Sequence, residues 1–567
     1  MMVNRPLIVW LIVLFGLISM TGCYFISNDE LSNGAVFPIE SPEIEITNIP
    51  TRSTPTFITL PPTLEFNSPI QLHTDPLPEG VQASLANGRN IEWVENDELA
   101  DYSIKIAQSG GVRGAVLIQW VYTIAAAFPT VQDEISLEEV VSCWRGTCGG
   151  DFRLLVAEET LQIFDVLWGN ADLQSVLVLP ADKLLEKAWQ ERDLRVILPF
   201  EYLEPRWKVL RVDGKSPLDQ NFTAEDYGLT VQWEGFVQNK NKAIDFAQKP
   251  EAIITNRQPE KFTSLILTGT TALVRNTAER MELKGLEYPL QDIGEWLRGA
   301  DITHVSNEVS FYENCPPALP VRGGQRFCTS PRYVEFLKMA GVDVVELTGN
   351  HLLDWGTEPF LYTLDLYNQN GIKYYGGGRN LEEARQPLLI EHHGNLLALI
   401  GCNRAGPDNI WATIDQPGPA PCDINELENE IRNVMALGYL PIVTFQHYEV
   451  EDFMPMNLTL QEFEQAAQAG AVIVSGSQAH FAHGFGFYQD HFMHYGLGNL
   501  FFDQMFPLHR RQFVDRHVFY DGRYLGVELL TTILEDYSRP RPMTKDERVE
   551  MLEDYFRVSG WLESEKP

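Results

Sequence analysis

From Ser264 onward, aliphatic runs repeatedly close in polar residues. They are SLILTGT (Ser264 to Thr270), ITHVSNE (Ile302 to Glu308), VDVVELTGNH (Val342 to His351), PIVTFQHYE (Pro441 to Glu449) and AVIVSGSQAH (Ala471 to His480). Each opens as a buried-strand pattern and ends in Thr, Asn, Glu, His or Gln. In an open α/β sheet, ligands sit beyond the carboxyl ends of the strands, so the five endings are expected to converge on one site. Between them lie helical patterns: YPLQDIGEWLRGA, SPRYVEFLKMAGV, TEPFLYTLDLYNQNGI, INELENEIRNVMALGY and TLQEFEQAAQAGA. Ser330-Pro331 reads as a helix start, Thr459 with Glu462 as a capping box, and Gly341, Gly371, Gly438 and Gly470 as stops. Strand–helix alternation predicts a mainly parallel sheet with helices packed on it. After Ala482 the pattern turns β-rich, which predicts a second sheet layered on the first.

Ahead of this region, residues 76–249 mix strand-like runs (GAVLIQWVY, SVLVLP, LRVILPF) with helical ones. In ADKLLEKAWQE, for example, Leu184, Leu185 and Ala188 share one face. Turns are expected at Asn87-Gly88 and Asp213-Gly214. Residues 24–75 are rich in Pro, Thr, Ser and Asn and read as an extended tether that cannot bury a core. The predicted division is therefore a leader at 1–23, a linker at 24–75, a smaller α/β domain at 76–249, a larger α/β domain at 255–540 and a helical tail at 541–567. A length of 567 residues suits two folded domains.

Charge and cysteines narrow the setting. The formal net charge of -35, with no basic run to offset it, excludes nucleic acid as a partner. Asn4-Arg5 followed by an apolar stretch from Leu7 to Met20 reads as an export signal, being short of the ~20 residues of a spanning helix. Thr21-Gly22-Cys23 resembles a bacterial lipobox, which would lipidate Cys23 and anchor the protein outside the cytoplasm; Met20 departs from the usual Leu. The other cysteines fall into neighbouring couples, Cys143 with Cys148, Cys315 with Cys328 and Cys402 with Cys422. In an exported protein these are expected to form disulfides. Local pairing closes the shortest loops, and other connectivities remain open.

The motif order after Leu265 resembles the CapA family, poly-γ-glutamate capsule synthesis proteins with a metallophosphatase-like fold. The resemblance rests on Asn307-Glu308, GNHLLDWG (Gly349 to Gly356), GGGRNLEEARQP (Gly376 to Pro387) and YGLGNLFFDQ (Tyr495 to Gln504). It implies a layered α/β sandwich and a site in which carboxylate, imidazole and amide groups hold a divalent metal. Glu308, His351, His447 and His480 are the expected metal ligands, with Gln446 a rival to His447. Asn350, His351 and Arg275 carry expected catalytic roles, and Asn307, Gln478 and Thr270 are expected to line the substrate. Asp354 is expected to cap the helix after the GNH turn.

Two departures bear on the metal. The family's first strand ends Gly-Asp, here Gly269-Thr270, and the first histidine of its closing His-x-His is Gln478. Thr and Gln bind hard cations weakly, so at most one metal ion, of unknown identity, is expected. A metal-free cleft is the alternative.

The smaller domain resembles a type II periplasmic solute-binding fold in the segments Ala125 to Gly146 and Arg195 to Asp219. There Thr130 and Arg206 are candidates to face a ligand, with plain surface placement the competing reading. The resemblances together imply a cell-surface lipoprotein of capsule or poly-γ-glutamate synthesis or export. Its partners would be an anionic polymer or its precursors and membrane-bound capsule synthesis proteins. It would be either a metal-dependent hydrolase or a non-catalytic binding protein with a degenerate site.

Overall fold

The computed structural model describes residues 69–562, except 88, 109–113, 150–151, 240–252 and 319–325. The export signal, Cys23, most of the tether and the turn at Gly88 lie outside the described residues.

The larger domain is a four-layer α/β sandwich. Its first sheet runs in the order Lys373–Tyr375, Val344–Glu346, Ile302–Asn307, Phe262–Thr268, Arg511–Tyr520, Arg523–Glu535, Arg539–Pro542. The first four strands are mutually parallel, and the hairpin-linked strands after Phe262–Thr268 are antiparallel. The second sheet runs Leu388–His392, Asn395–Asn403, Leu440–Gln446, Ile473–Ser475, His491–His494, Phe485–Tyr488. Between them lies an apolar layer that includes Leu265, Leu267, Val344, Leu399, Ile442, Ile473, Phe492 and Phe513. The helices Val334–Ala340 and Thr357–Gln369 cover the outer face of the first sheet. Ile424–Ala436 and Asn457–Ala469 cover the second. This is the layered α/β sandwich expected from the sequence, and its parallel strands are buried on both faces because helices cover them.

The smaller domain is a separate sheet built on the long strand Ala115–Ala127, which pairs with Thr230–Val237 on one side and with Leu194–Pro199 and Trp207–Val212 on the other. Two boundaries differ from expectation. Ile70–Thr74, assigned to the tether, is a strand of this sheet, because alternate Ile70 and Leu72 bury one face. The tail at 541–567 is helical as expected, over Lys545–Val558, but it is packed into the sandwich rather than set apart from it. Its Met551, Leu552, Tyr555 and Phe556 lie in the intersheet core, and Thr544 and Glu547 form its capping box.

The two domains share a core. Phe128, at the end of the long strand, packs edge-on against Phe487 and Trp561 at 5.2 and 5.7 Å between ring centroids. Arg548 of the last helix donates to both carboxylate oxygens of Asp133 at 2.7 and 2.9 Å. Cys143–Cys148, Cys315–Cys328 and Cys402–Cys422 are bonded as neighbours. Among the described residues no helix is long and apolar enough to cross a membrane.

Candidate active site at the strand ends

Two glycines let the strand ends close together. A Cβ on Gly349 would meet Glu308 Cα at 2.7 Å, and one on Gly269 would meet Gly498 O at 1.8 Å. Only glycine permits these backbone approaches. They bring the GNH turn onto Glu308 and the GLGN turn onto Thr270, whose N–H donates to Gly498 O at 3.0 Å.

Glu308 is the centre of the cluster, with 1% exposure. Its Oε1 lies 3.6 Å from His480 Nε2 and 4.0 Å from His351 Nε2. Each imidazole is oriented through its other nitrogen. His351 Nδ1 lies 2.8 Å from Asp354 Oδ2, and His480 Nδ1 lies 2.8 Å from Asn499 Oδ1. Fixing Nδ1 aims Nε2, the arrangement usual for functional histidines.

Burial alone would raise the Glu308 carboxyl, but His480, His351 and Arg275 together hold it below the usual carboxylate range. Burial opposes protonation of both histidines. Asp354 and Glu308 nevertheless raise His351, and Glu449, Glu308 and Asn499 push His480 up to about 10.

A stack of flat groups closes the site. His351 lies against Phe327 at 4.5 Å and His480 against Phe502 at 5.0 Å. The Arg275 guanidinium sits over both phenyl rings, at 5.0 and 4.6 Å. Arg275 is also paired with Asp503, so its charge is already matched within the protein. Phe327 is held by its own N–H, which donates to Asp354 Oδ2 at 2.7 Å.

Other expected site residues are placed differently. The Asn307 amide donates to Val309 O at 2.6 Å and to Tyr367 OH at 2.8 Å, so it faces the helix layer rather than a substrate. The Tyr448 N–H donates to His447 Nδ1 at 2.9 Å, which leaves the proton on Nε2, 2.8 Å from Glu462 Oε2. With both nitrogens engaged, His447 is not a free metal ligand. Thr459, read as a helix cap, sits inside the helix with Oγ1 2.9 Å from His447 Nδ1. Its expected partner Glu462 binds His447 and Arg404 instead. Asp354 is no cap either, since the following helix begins after Gly356. In the smaller domain the Thr130 hydroxyl donates to Ala127 O at 2.7 Å, and Arg206 pairs with Glu204.

Thr270 and Gln478 are fully buried at the site's floor. Gln478 Nε2 donates to Ser306 Oγ at 2.6 Å. Among the described residues, Thr270 Oγ1, Thr271 Oγ1, Glu308 Oε2, Asn350 Oδ1 and Gln478 Oε1 are buried without a hydrogen-bond partner. Such atoms are costly unless something from outside meets them.

The donor types (two imidazole Nε2 atoms, a carboxylate and neutral oxygens) fit one divalent cation. They do not fit two, because Thr270 supplies no bridging anion. Among the described residues no three His, Cys, Asp or Glu side chains form a ready-made metal cage, so the cluster would have to tighten around an ion.

Residues 264–504 match the family model described as bacterial capsule synthesis protein PGA_cap. The chain is 24% identical over 269 residues to the capsule biosynthesis protein CapA of Bacillus anthracis, covering 46% of this chain and 65% of that protein. It is 23% identical over 308 residues to the PGA biosynthesis protein CapA of Bacillus subtilis (strain 168), covering 54% and 80%. Among solved structures, the NAD nucleotidase of Haemophilus influenzae aligns at TM-score 0.30 and 9% identity over 52% of this chain and 56% of that one. An ABC-type phosphate transport receptor from Vibrio cholerae aligns at TM-score 0.27 and 10% identity over 32% and 93%. Superpositions at these scores carry no argument, and the architecture rests on the strand order and packing above. The sequence matches do carry one: residues 264–504, which hold every group of the site, are similar to the bacterial capsule synthesis proteins described by the PGA_cap model.

Proposed function

We propose that the protein works in bacterial capsule synthesis outside the cytoplasm, where its larger domain engages an anionic polymer such as poly-γ-glutamate, or a precursor, and cleaves or transfers it. The family match supports the process, and three disulfides support an oxidising compartment. Lipid anchoring at Cys23 and membrane-bound synthesis proteins as partners belong to the same proposal. The observation that carries the chemical reading is Glu308 held between two oriented imidazoles, with Oε2 free.

In this reading Glu308, His351 and His480 would hold one divalent ion, which supplies Lewis acidity and a more acidic bound water. The chain's own groups do the rest. Asp354 keeps the proton of His351 on Nδ1 and aims Nε2 into the site, and Asn499 does the same for His480. Phe327 and Phe502 shield the imidazoles from water and so strengthen their interactions with Glu308. Glu308 Oε2 is placed to accept a proton from a nucleophilic water.

The test is incubation of the purified protein with poly-γ-glutamate and Mn²⁺, following polymer length by size exclusion, beside elemental analysis of the protein. Glu308→Ala and His351→Ala are each expected to slow cleavage by about 100-fold or more. Wild-type rates in both variants would overturn the reading. Polymer retained but never shortened would favour a binding protein instead, a reading that the replacement of anionic Asp by Thr270 and of imidazole by Gln478 supports.

A further inference from the structure

Beneath the site lies a carboxylate that the reading above does not use. Glu346 ends the strand Val344–Glu346 and is fully buried. Thr348 Oγ1 donates to its Oε1 at 2.6 Å, and Ser477 Oγ donates to its Oε2. Thr348 leads into Asn350-His351, while Ser477 leads into Gln478 and His480. The two hydroxyls belong to turns that leave different sheets, Val344–Glu346 in the first and Ile473–Ser475 in the second. One buried carboxylate therefore fastens the turn of one metal-ligand candidate to the turn of the other. His304 Nε2 lies 3.4 Å from Glu346 Oε2 and 3.1 Å from Tyr375 OH, and Tyr375 OH lies 2.9 Å from Thr444 Oγ1. That chain of contacts braces the carboxylate from the flanking strands of both sheets.

We infer that Glu346 is the positioning residue of the site, the strut that sets the separation of His351 from His480 across Glu308. This deepens the functional reading above, because it concerns the same site. A core position between two sheets would be filled more cheaply by an apolar side chain. A charge there holds two loops in register at a cost in stability, and both its oxygens are spent on those loops. The Thr348 carbonyl adds a second tie across the sheets, accepting from Asn403 Nδ2 at 2.8 Å.

The test is hydrogen exchange read by mass spectrometry on the whole protein, with Glu346→Ala, Glu346→Gln and, as a control of core loss elsewhere, Ile431→Ala. Ile431 lies on the buried face of the helix Ile424–Ala436, which covers the second sheet. Glu346→Ala is expected to speed exchange in residues 347–353 and 476–483 together, by about tenfold, as loss of hydrogen bonds to a charged group implies. Glu346→Gln, which still offers an acceptor and a donor to the two hydroxyls, is expected to restore most of the protection. The His351 and His480 imidazole NMR signals should move in Glu346→Ala and stay in Ile431→Ala. Thr348→Val and Ser477→Ala serve if Glu346→Ala does not fold, each loosening its own turn and the opposite one. Loops that exchange at the wild-type rate, only one loop responding, or equal loosening in Ile431→Ala would overturn the inference. None of these readouts needs a ligand, so failure of polymer cleavage overturns the functional reading without touching this one.

Discussion

The smaller domain and the site-bearing edge of the sandwich differ in the kind of buried polar group left unmet. Among the described residues of the smaller domain these are the Tyr122, Tyr227 and Thr230 hydroxyls and one Arg192 guanidinium nitrogen, with no carboxylate or amide oxygen. Asn256, just after the strand Ile254–Thr255 that joins the smaller domain's sheet, bonds the backbone of Val121 at 2.8 and 2.9 Å and also donates to Glu201, which accepts from Trp120 Nε1 at 2.9 Å as well. The smaller domain's candidate ligand residues Thr130 and Arg206 are likewise satisfied from within. At the edge of the sandwich, by contrast, carboxylate, amide and hydroxyl oxygens from four strand ends are buried and unmet. A folded chain tolerates such atoms only where other interactions outweigh their cost, and they cluster where a ligand is expected. The unmet carboxylate and amide oxygens single out the strand-end edge of the larger domain as the candidate site.

Acid should expose the sharpest contrast. His483 and His517 of the sandwich are buried neutral, and burial lowers each to about 4. His517 faces Asp515, His494 and Tyr524; His483 faces the Asp452 carbonyl and His494. A base whose folded pKa lies below its unfolded value gives stability that is complete above about pH 6.5 and lost as pH falls toward 4. Each group contributes on the order of 3 kcal/mol over that window. Denaturant titrations from pH 7 to pH 4 should show the sandwich weakening first; a midpoint flat across the window would refute this.

Next in size is the joint between the domains. Phe128→Ala removes a ring buried among Phe487, Phe492 and Trp561 and should cost about 3–5 kcal/mol. Because the core is shared, calorimetry should show one broadened transition splitting into two. A single sharp transition lowered as a whole would mean that the domains unfold as one body whatever fills the joint.

Smaller still is Asp354→Asn, which leaves the fold but weakens the aim of His351 and the seat of Phe327. About 10- to 100-fold in Mn²⁺ affinity is expected, by isothermal titration. An unchanged affinity would make Asp354 a mere loop tie and bring the site nearer in kind to the smaller domain.

The strand-end pattern makes Glu308, His351 and His480 legible in the sequence, because strand direction alone sends them to one edge. Their supports are less so. Asp354 sits just before a helix, where a cap is the ordinary reading, and Thr459 with Glu462 has the spacing of a capping box while serving His447. Asn499, Phe502 and Asp503 were in view as the YGLGNLFFDQ motif, but a motif does not say which histidine or arginine each one meets. Glu346 lies within the quoted strand run VDVVELTGNH, which does not say what a carboxylate there meets, and Phe327 comes from a segment with no signal at all. Their partners lie in other turns, and only the closed sandwich brings them together. The early strand Ile70–Thr74 was hidden by the Pro/Thr-rich composition preceding it.

The least effect belongs to His447, and it separates imidazoles that look alike in sequence. His447→Gln breaks its bonds to Glu462 and Tyr448 and should cost on the order of 2 kcal/mol of stability, the loss of buried hydrogen bonds. Mn²⁺ affinity and polymer cleavage should nevertheless stay at wild-type levels, since neither nitrogen faces Glu308. His480→Gln should instead abolish binding, and it also leaves the buried Glu308 with one fewer cationic neighbour. If His447→Gln lost Mn²⁺ as His480→Gln does, the ion would sit between the second sheet and its helix rather than at Glu308. The unmet oxygens at the strand ends would then need another explanation.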